Sequence, residues 1–139
     1  MARPKPQEPL RAPEYAREWC EEVATRYRER AGVRVPSDLA SEAFHAIAAL
    51  AAIGYDYDLL AKMFGSTYWT ISTLLDAYHA LTAEVLALTR PTVPLNNRLN
   101  VSDARMVARY EPGQQLKAAL NLIATSQRVK KRSKVQRGK

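Results

Sequence analysis

Cysteine occurs once in this chain of 139 residues, phenylalanine twice, histidine twice and glycine five times. Each scarcity excludes something. Cys20 alone cannot close an internal disulfide, so a reducing, cytoplasmic setting is the expectation. On the apolar face of its helix it reads as a small buried hydrophobe. Few glycines and few β-branched residues disfavour sheets and favour helices. No run approaches the roughly 20 apolar residues of a membrane span, which excludes a membrane role. The first 14 residues contain Pro4, Pro6, Pro9 and Pro13 without an apolar core, so they are no secretory signal. His45 lacks Cys or acid at ligand spacing, and His79 has only Asp76 near it. No glycine loop for phosphates and no paired-carboxylate or nucleophile arrangement stands out. The expectation is no metal, no cofactor, no small-molecule ligand and no catalysis.

What is present is a hydrophobic share of 47%, enough for one core, or one core with a small appendage. The fold class expected is all-α. Arginine outnumbers lysine by 14 to 7, and alanine is abundant, a composition typical of GC-rich bacterial or phage genes. The net charge of +7 is unevenly placed: residues 1–34 carry +2, 35–90 carry −4, 91–113 carry +1 and 114–139 carry +8. A basic end on a near-neutral body fits an electrostatic clamp on nucleic acid, and equally a solubilising tail.

Along the chain, residues 1–13 read as a flexible proline-rich arm, and residues 14–90 as a helical core. Tyr15, Trp19, Val23 and Tyr27 recur every four residues on one face of a helix over residues 15–31, whose other face is charged and includes a Glu22–Arg26 pair. Ser37 is placed to cap a second helix reaching about Ile53, made slim by seven alanines between Ala40 and Ala52. Residues 91–101, rich in proline and asparagine, read as a linker. Residues 102–127 read as a small helical pair with Ser102 as first cap, and residues 128–139 as a basic tail.

The stretch around which the rest is organised is residues 57–75, YDLLAKMFGSTYWTISTLL. Leu59, Leu60, Met63 and Phe64 mark one face of a short helix, with Asp56 as its cap. Gly65 interrupts, Ser66 and Thr67 offer capping hydroxyls, and a second helix opens at about Tyr68 with Ile71, Leu74 and Leu75 inward. With the small Ala61 inside the first helix and a glycine at the turn, this spacing resembles the helix-turn-helix of DNA-binding regulators. The resemblance implies a double-stranded DNA partner and a bacterial or phage transcriptional regulator. It implies that Ser66, Thr67, Tyr68, Trp69, Ser72 and Thr73 face the groove, with Lys62 on the backbone. Phosphate charge would come from Arg128, Lys130, Lys131, Arg132 and Lys134. The alternative is an all-α oligomeric assembly protein, such as a small phage packaging subunit, binding nucleic acid non-specifically through that tail.

Beyond the motif, Ile71, Leu74, Tyr78, Leu81, Val85 and Leu88 follow a heptad-like seam that predicts one long post-turn helix. Two uses are open: pairing with a second copy in a homodimer, or packing on the Tyr15–Tyr27 stripe. The string VARYEPGQQLKAALNLIATSQ is similar to the tail modules of resolvases and transposases, in which Arg109, Tyr110 and Gly113 would end a helix before a second helix-turn-helix. Its turn falls at Ala124, and Lys130 occupies a place usually apolar. A continuous basic helix, or a disordered arm along phosphates, is the other reading of this end.

Overall fold

Alanine decides where the centre of the structure lies. The computed structural model describes residues 15–30 and 32–137, with side chains as far as residue 126. Its helices are α1 (Arg17–Arg28), α2 (Ser37–Ala52), α3 (Tyr57–Phe64), α4 (Tyr68–Ala80), α5 (Ala83–Leu88), α6 (Val101–Val107) and α7 (Pro112–Arg137), with a 3-10 turn at Leu95–Asn97. No strand occurs among the described residues, and the protein is all-α. Residues 43–50 of α2 are buried without a break. A helix buried all round must let its neighbours approach on every side, and the small alanines of α2 permit this. Accordingly α1, α3, α4 and α6 all pack on it.

Phe44, Ile47 and Leu50 of α2 meet Leu60 and Phe64 of α3 and Ile71, Leu75 and Tyr78 of α4 in one core. Burying each such side chain contributes on the order of 1.5–3 kcal/mol. The Phe44 and Tyr78 rings meet edge to face at 5.3 Å, and Tyr27 of α1 meets Phe64 in the same way at 5.9 Å. The aromatic stripe of α1 is therefore core: Tyr15 and Val23 are buried, and Trp19 and Tyr27 are half-buried. Cys20 is fully buried, and burial, then Glu21, pushes its thiol up to about 11. Arg26 forks onto Glu42 of α2 with two hydrogen bonds of 3.3 Å. The expected Glu22–Arg26 pair gives way to this bridge between helices, whose fork matches a carboxylate.

His45 sits inside the core, its ring stacked on Tyr15 and edge-on to Phe44 and Tyr78. Its Nε2 lies 2.8 Å from the Thr89 hydroxyl, which donates its own proton to the Leu86 carbonyl. A hydroxyl has one proton, so Nε2–H must be the donor and Nδ1 is bare. Burial, then the nearby Arg90, lowers the pKa of His45 to about 3.

Five further expectations are corrected. The long post-turn helix is two helices: α4 ends at Leu81, which is extended (ψ 143°), and Thr82 starts α5 by accepting the Val85 N–H. The heptad spacing survives the break because the core continues past it. Ile71, Tyr78, Leu81 and Val85 are buried, and Leu74 and Leu88 pack against the same core. The seam is thus consumed within one chain, and a homodimer through it would have to take it out of the core. Ser37 does not cap α2; its hydroxyl accepts from Arg98 instead.

Arg98 is also why residues 91–101 are no linker. Its side chain is 2% exposed and donates to the Pro91 and Val93 carbonyls, Ser37 and the Asp38 carboxylate. Leu99 beside it is buried, and its N–H donates to the Leu88 carbonyl at 2.9 Å. The segment therefore ties the C-terminal helices to the common core. Fourth, α6 is capped by Asn100, whose Oδ1 accepts the Asp103 N–H, not by Ser102. The turn expected at Ala124 is helix: α7 runs through it to Arg137.

Candidate nucleic-acid interface

The geometry of residues 57–75 is built from local signals. Asp56 Oδ1 accepts the Leu59 N–H at 2.8 Å and starts α3. Gly65 ends it at φ +61°, a left-handed conformation that side chains with a Cβ resist. The Ser66 N–H then closes back on the Ala61 carbonyl at 2.8 Å, a Schellman-type ending. Thr67 Oγ1 accepts the Thr70 N–H at 3.1 Å and opens α4. Ala61 of α3 is buried.

Of the residues expected to face a groove, Tyr68 is 55% and Trp69 69% exposed, at the first turn of α4. Tyr57 supports Tyr68 from α3, with ring centroids 5.4 Å apart. Ser72 lies one turn further and is half-buried. Two hydroxyls are already engaged. Thr67 caps α4 and donates to Thr70 Oγ1, and Thr73 donates to the Thr70 carbonyl at 3.0 Å. Ser66 is half-buried in the turn, and Lys62 is exposed on α3. Lys62, Thr67, Tyr68 and Trp69 are therefore the exposed members of the set, with Ser66, Ser72 and Thr73 half-buried. Asp76 continues the exposed face of α4.

This unit lacks positive charge. Asp56, Asp58 and Asp76 outnumber Lys62 over residues 55–80. The basic residues assigned to phosphate, Arg128, Lys130, Lys131, Arg132 and Lys134, stand on the helical backbone of α7, but their side chains lie outside the described residues. The arm over residues 1–13 lies outside them too.

Sequence reasoning passed over two residues that shape the region. Arg28, at the end of α1, packs on the turn: a Cβ added to Gly65 would stand 2.9 Å from Arg28 Cγ. Gln115 of α7 is buried; its Oε1 accepts the Thr82 N–H at 2.8 Å, and its Nε2 donates to the Ala80 and Tyr110 carbonyls. It pins the α4–α5 break to the α6–α7 turn. The only hint was a glutamine on the inward side of a helix, next to the apolar positions Leu116 and Ala119.

Among the described residues no cluster of three or more His, Cys, Asp or Glu is placed to hold a metal, and no helix is long and apolar enough to cross a membrane. Compared with known proteins, the chain matches no family model, no curated protein and no solved structure, so the functional reading rests on its own geometry.

Proposed function

We propose that this chain binds double-stranded DNA in a sequence-dependent manner, as a transcriptional regulator of bacterial or phage type. One observation carries the reading: a left-handed glycine turn presents a Thr67-capped helix whose first turn bears two exposed aromatic rings. A helix held at its N-terminal end, with that end exposed, is the element such proteins place in a major groove. Tyr68 and Trp69 would contact thymine methyls and sugar edges, and Ser72 would hydrogen-bond a base. The positive N-terminal end of the α4 dipole favours phosphate nearby. Phosphate charge is supplied by basic residues outside the unit.

The test is recovery of bound duplexes from a random-sequence pool at two salt concentrations. The expected result is an enriched site for the native chain and its loss in Trp69→Ala, with the circular dichroism spectrum unchanged. Full site discrimination retained by Trp69→Ala would remove α4 from the groove.

A second reading, an assembly protein that binds nucleic acid non-specifically, is favoured by one feature. A cleft of about 430 Å³ between α6 and α7 is lined by Met106, Tyr110, Ala118 and Leu122, among others. Its expected signature is a mass that rises with concentration and no enriched site in the same selection.

A further inference from the structure

The α3–α4 unit is acidic, yet the surface beside it is not. Between the α1–α2 loop and the start of α6 lies a cleft of about 560 Å³. Arg30 and Arg34 stand on one wall, Asn100 and Ser102 on the other, with Ser37 at the base. Ser102 also lines a second cleft of about 250 Å³, whose other walls are Arg105, Met106 and Arg109. The two clefts adjoin at that shared residue and are together called the trough. Four arginines line it, all exposed, and no Asp or Glu does. Asp103, on the same helix as Arg105, lines neither cleft. Among the described residues, no carboxylate is within ion-pair distance of these four guanidinium groups, unlike Arg17, Arg26 and Arg98.

The trough is built, not incidental. The buried Arg98 bonds Ser37 and Asp38 at the start of α2, and so holds the chain leading into α6 against α2, fixing the separation of the walls. Arg30 Nη2 donates to the Arg34 carbonyl at 2.8 Å, which orders the loop and leaves most of its five N–H donors free. Unpaired arginines in a row repel one another, an arrangement that makes sense when an anion neutralises them.

We propose that this trough seats the phosphate backbone of double-stranded DNA flanking the base pairs met by α4; the inference rests on the DNA-binding reading above and extends it. Two features select a polymer backbone over a small anion. The guanidinium groups are exposed and strung along two connected clefts rather than converging on one buried point. The trough also starts next to the α3–α4 turn: Arg28 touches Gly65, and Arg30 follows two residues later, within about 7 Å along the chain. Each of these guanidinium groups can fork onto one phosphate of such a backbone.

The test measures affinity of the full chain for a selected duplex across a salt series, comparing the native chain with Arg30→Gln/Arg34→Gln and Arg105→Gln/Arg109→Gln. All four residues are surface residues, and melting curves check that the variants fold. Each pair should make the slope of log K against log salt shallower by about 1.8 (two phosphate contacts at ~0.9 each) and leave the preferred sequence unchanged. Native slope and affinity in both variants, with the native chain still bound to duplex, would remove the trough while leaving α4 as reader. No duplex binding by the native chain would overturn both proposals. Tighter binding of polyglutamate than of duplex, lost in the variants, would assign the trough to an acidic polypeptide instead.

Discussion

The α3–α4 unit and the segment from α5 to α7 are held by opposite kinds of contact. In α3–α4 the deciding side chains bond backbone three residues away, Asp56 to Leu59 and Thr67 to Thr70, and Gly65 turns in place. From α5 onward the local caps at Thr82 and Asn100 are joined by side chains that reach far along the chain: Arg98 to Asp38, Gln115 to Ala80 and Thr82, and Thr89 to His45. Charge divides in parallel, with the acids Asp56, Asp58 and Asp76 in the first region and +8 over residues 114–139 in the second. Local bonds allow the α3–α4 shape to form with little help. Distant bonds exist only when the whole chain has assembled, so the second region's position reports on the global fold.

The largest expected effect follows from that contrast. Gln115→Leu keeps the volume but removes a donor and an acceptor that serve three backbone groups around a buried site. Stability should fall by about 3 kcal/mol, read as a drop of roughly 10 °C in Tm. A loss under about 1 kcal/mol would mean that apolar packing alone docks α7, and the contrast would fail. Next comes a pair of glycines with opposite signs. Gly65→Ala forces a Cβ into the left-handed region and against Arg28 Cγ, and should cost about 2 kcal/mol. A Cβ at Gly113 in the first turn of α7 meets nothing within 4 Å, so Gly113→Ala should stabilise by about 0.5–1 kcal/mol. Chemical denaturation of both variants reads the two signs directly; equal signs would show that backbone conformation does not distinguish the two regions.

How much was legible follows the same division. Both boundaries of α3, the start of α4, both caps and the glycine turn could be read in order from Asp56 to Thr67, because each residue acts within four positions of itself. The seam misled for a physical reason: Leu81 and Val85 stay buried on either side of a break that Thr82 and the distant Gln115 create. Arg98 was illegible because its partners Ser37 and Asp38 lie about sixty residues away, and an arginine among prolines and asparagines reads as loop. The arginines of the trough come from two loops and a short helix, and only folding gathers them. A charge profile along the chain dilutes them among Glu29, Asp103 and Glu111.

The joint between the regions is His45, on α2 against Tyr78 of α4 and bonded to Thr89 at the end of α5. Its pKa is lowered to about 3 in the folded chain. The unfolded chain, with a pKa near 6.5, binds the proton first, so stability is full above that value and declines as pH falls towards about 3. The loss should be about 1 kcal/mol between pH 6.5 and 5.5, the slope steepening towards about 1.4 kcal/mol per pH unit below that. Urea melts at pH 6.5 and 5.5 measure it, and His45→Gln should flatten the difference. A native chain without this slope would mean that the charged ring finds water or a partner when it is protonated.

The smallest effect separates shape from recognition at one residue. Thr67→Ala removes the cap of α4 and should cost about 1 kcal/mol, while Thr67→Ser and Thr67→Asp keep an accepting oxygen and should hold stability near the native value. In DNA binding the two capping replacements should part. The serine retains a neutral hydroxyl at the helix start, whereas the aspartate sets a negative charge where phosphate is to approach, and should weaken binding at least several-fold. If Thr67→Asp binds as well as Thr67→Ser, with both equally stable, then the start of α4 does not lie near a phosphate. Thr67, Tyr68 and Trp69 would then make a well-formed local shape whose partner is something other than DNA.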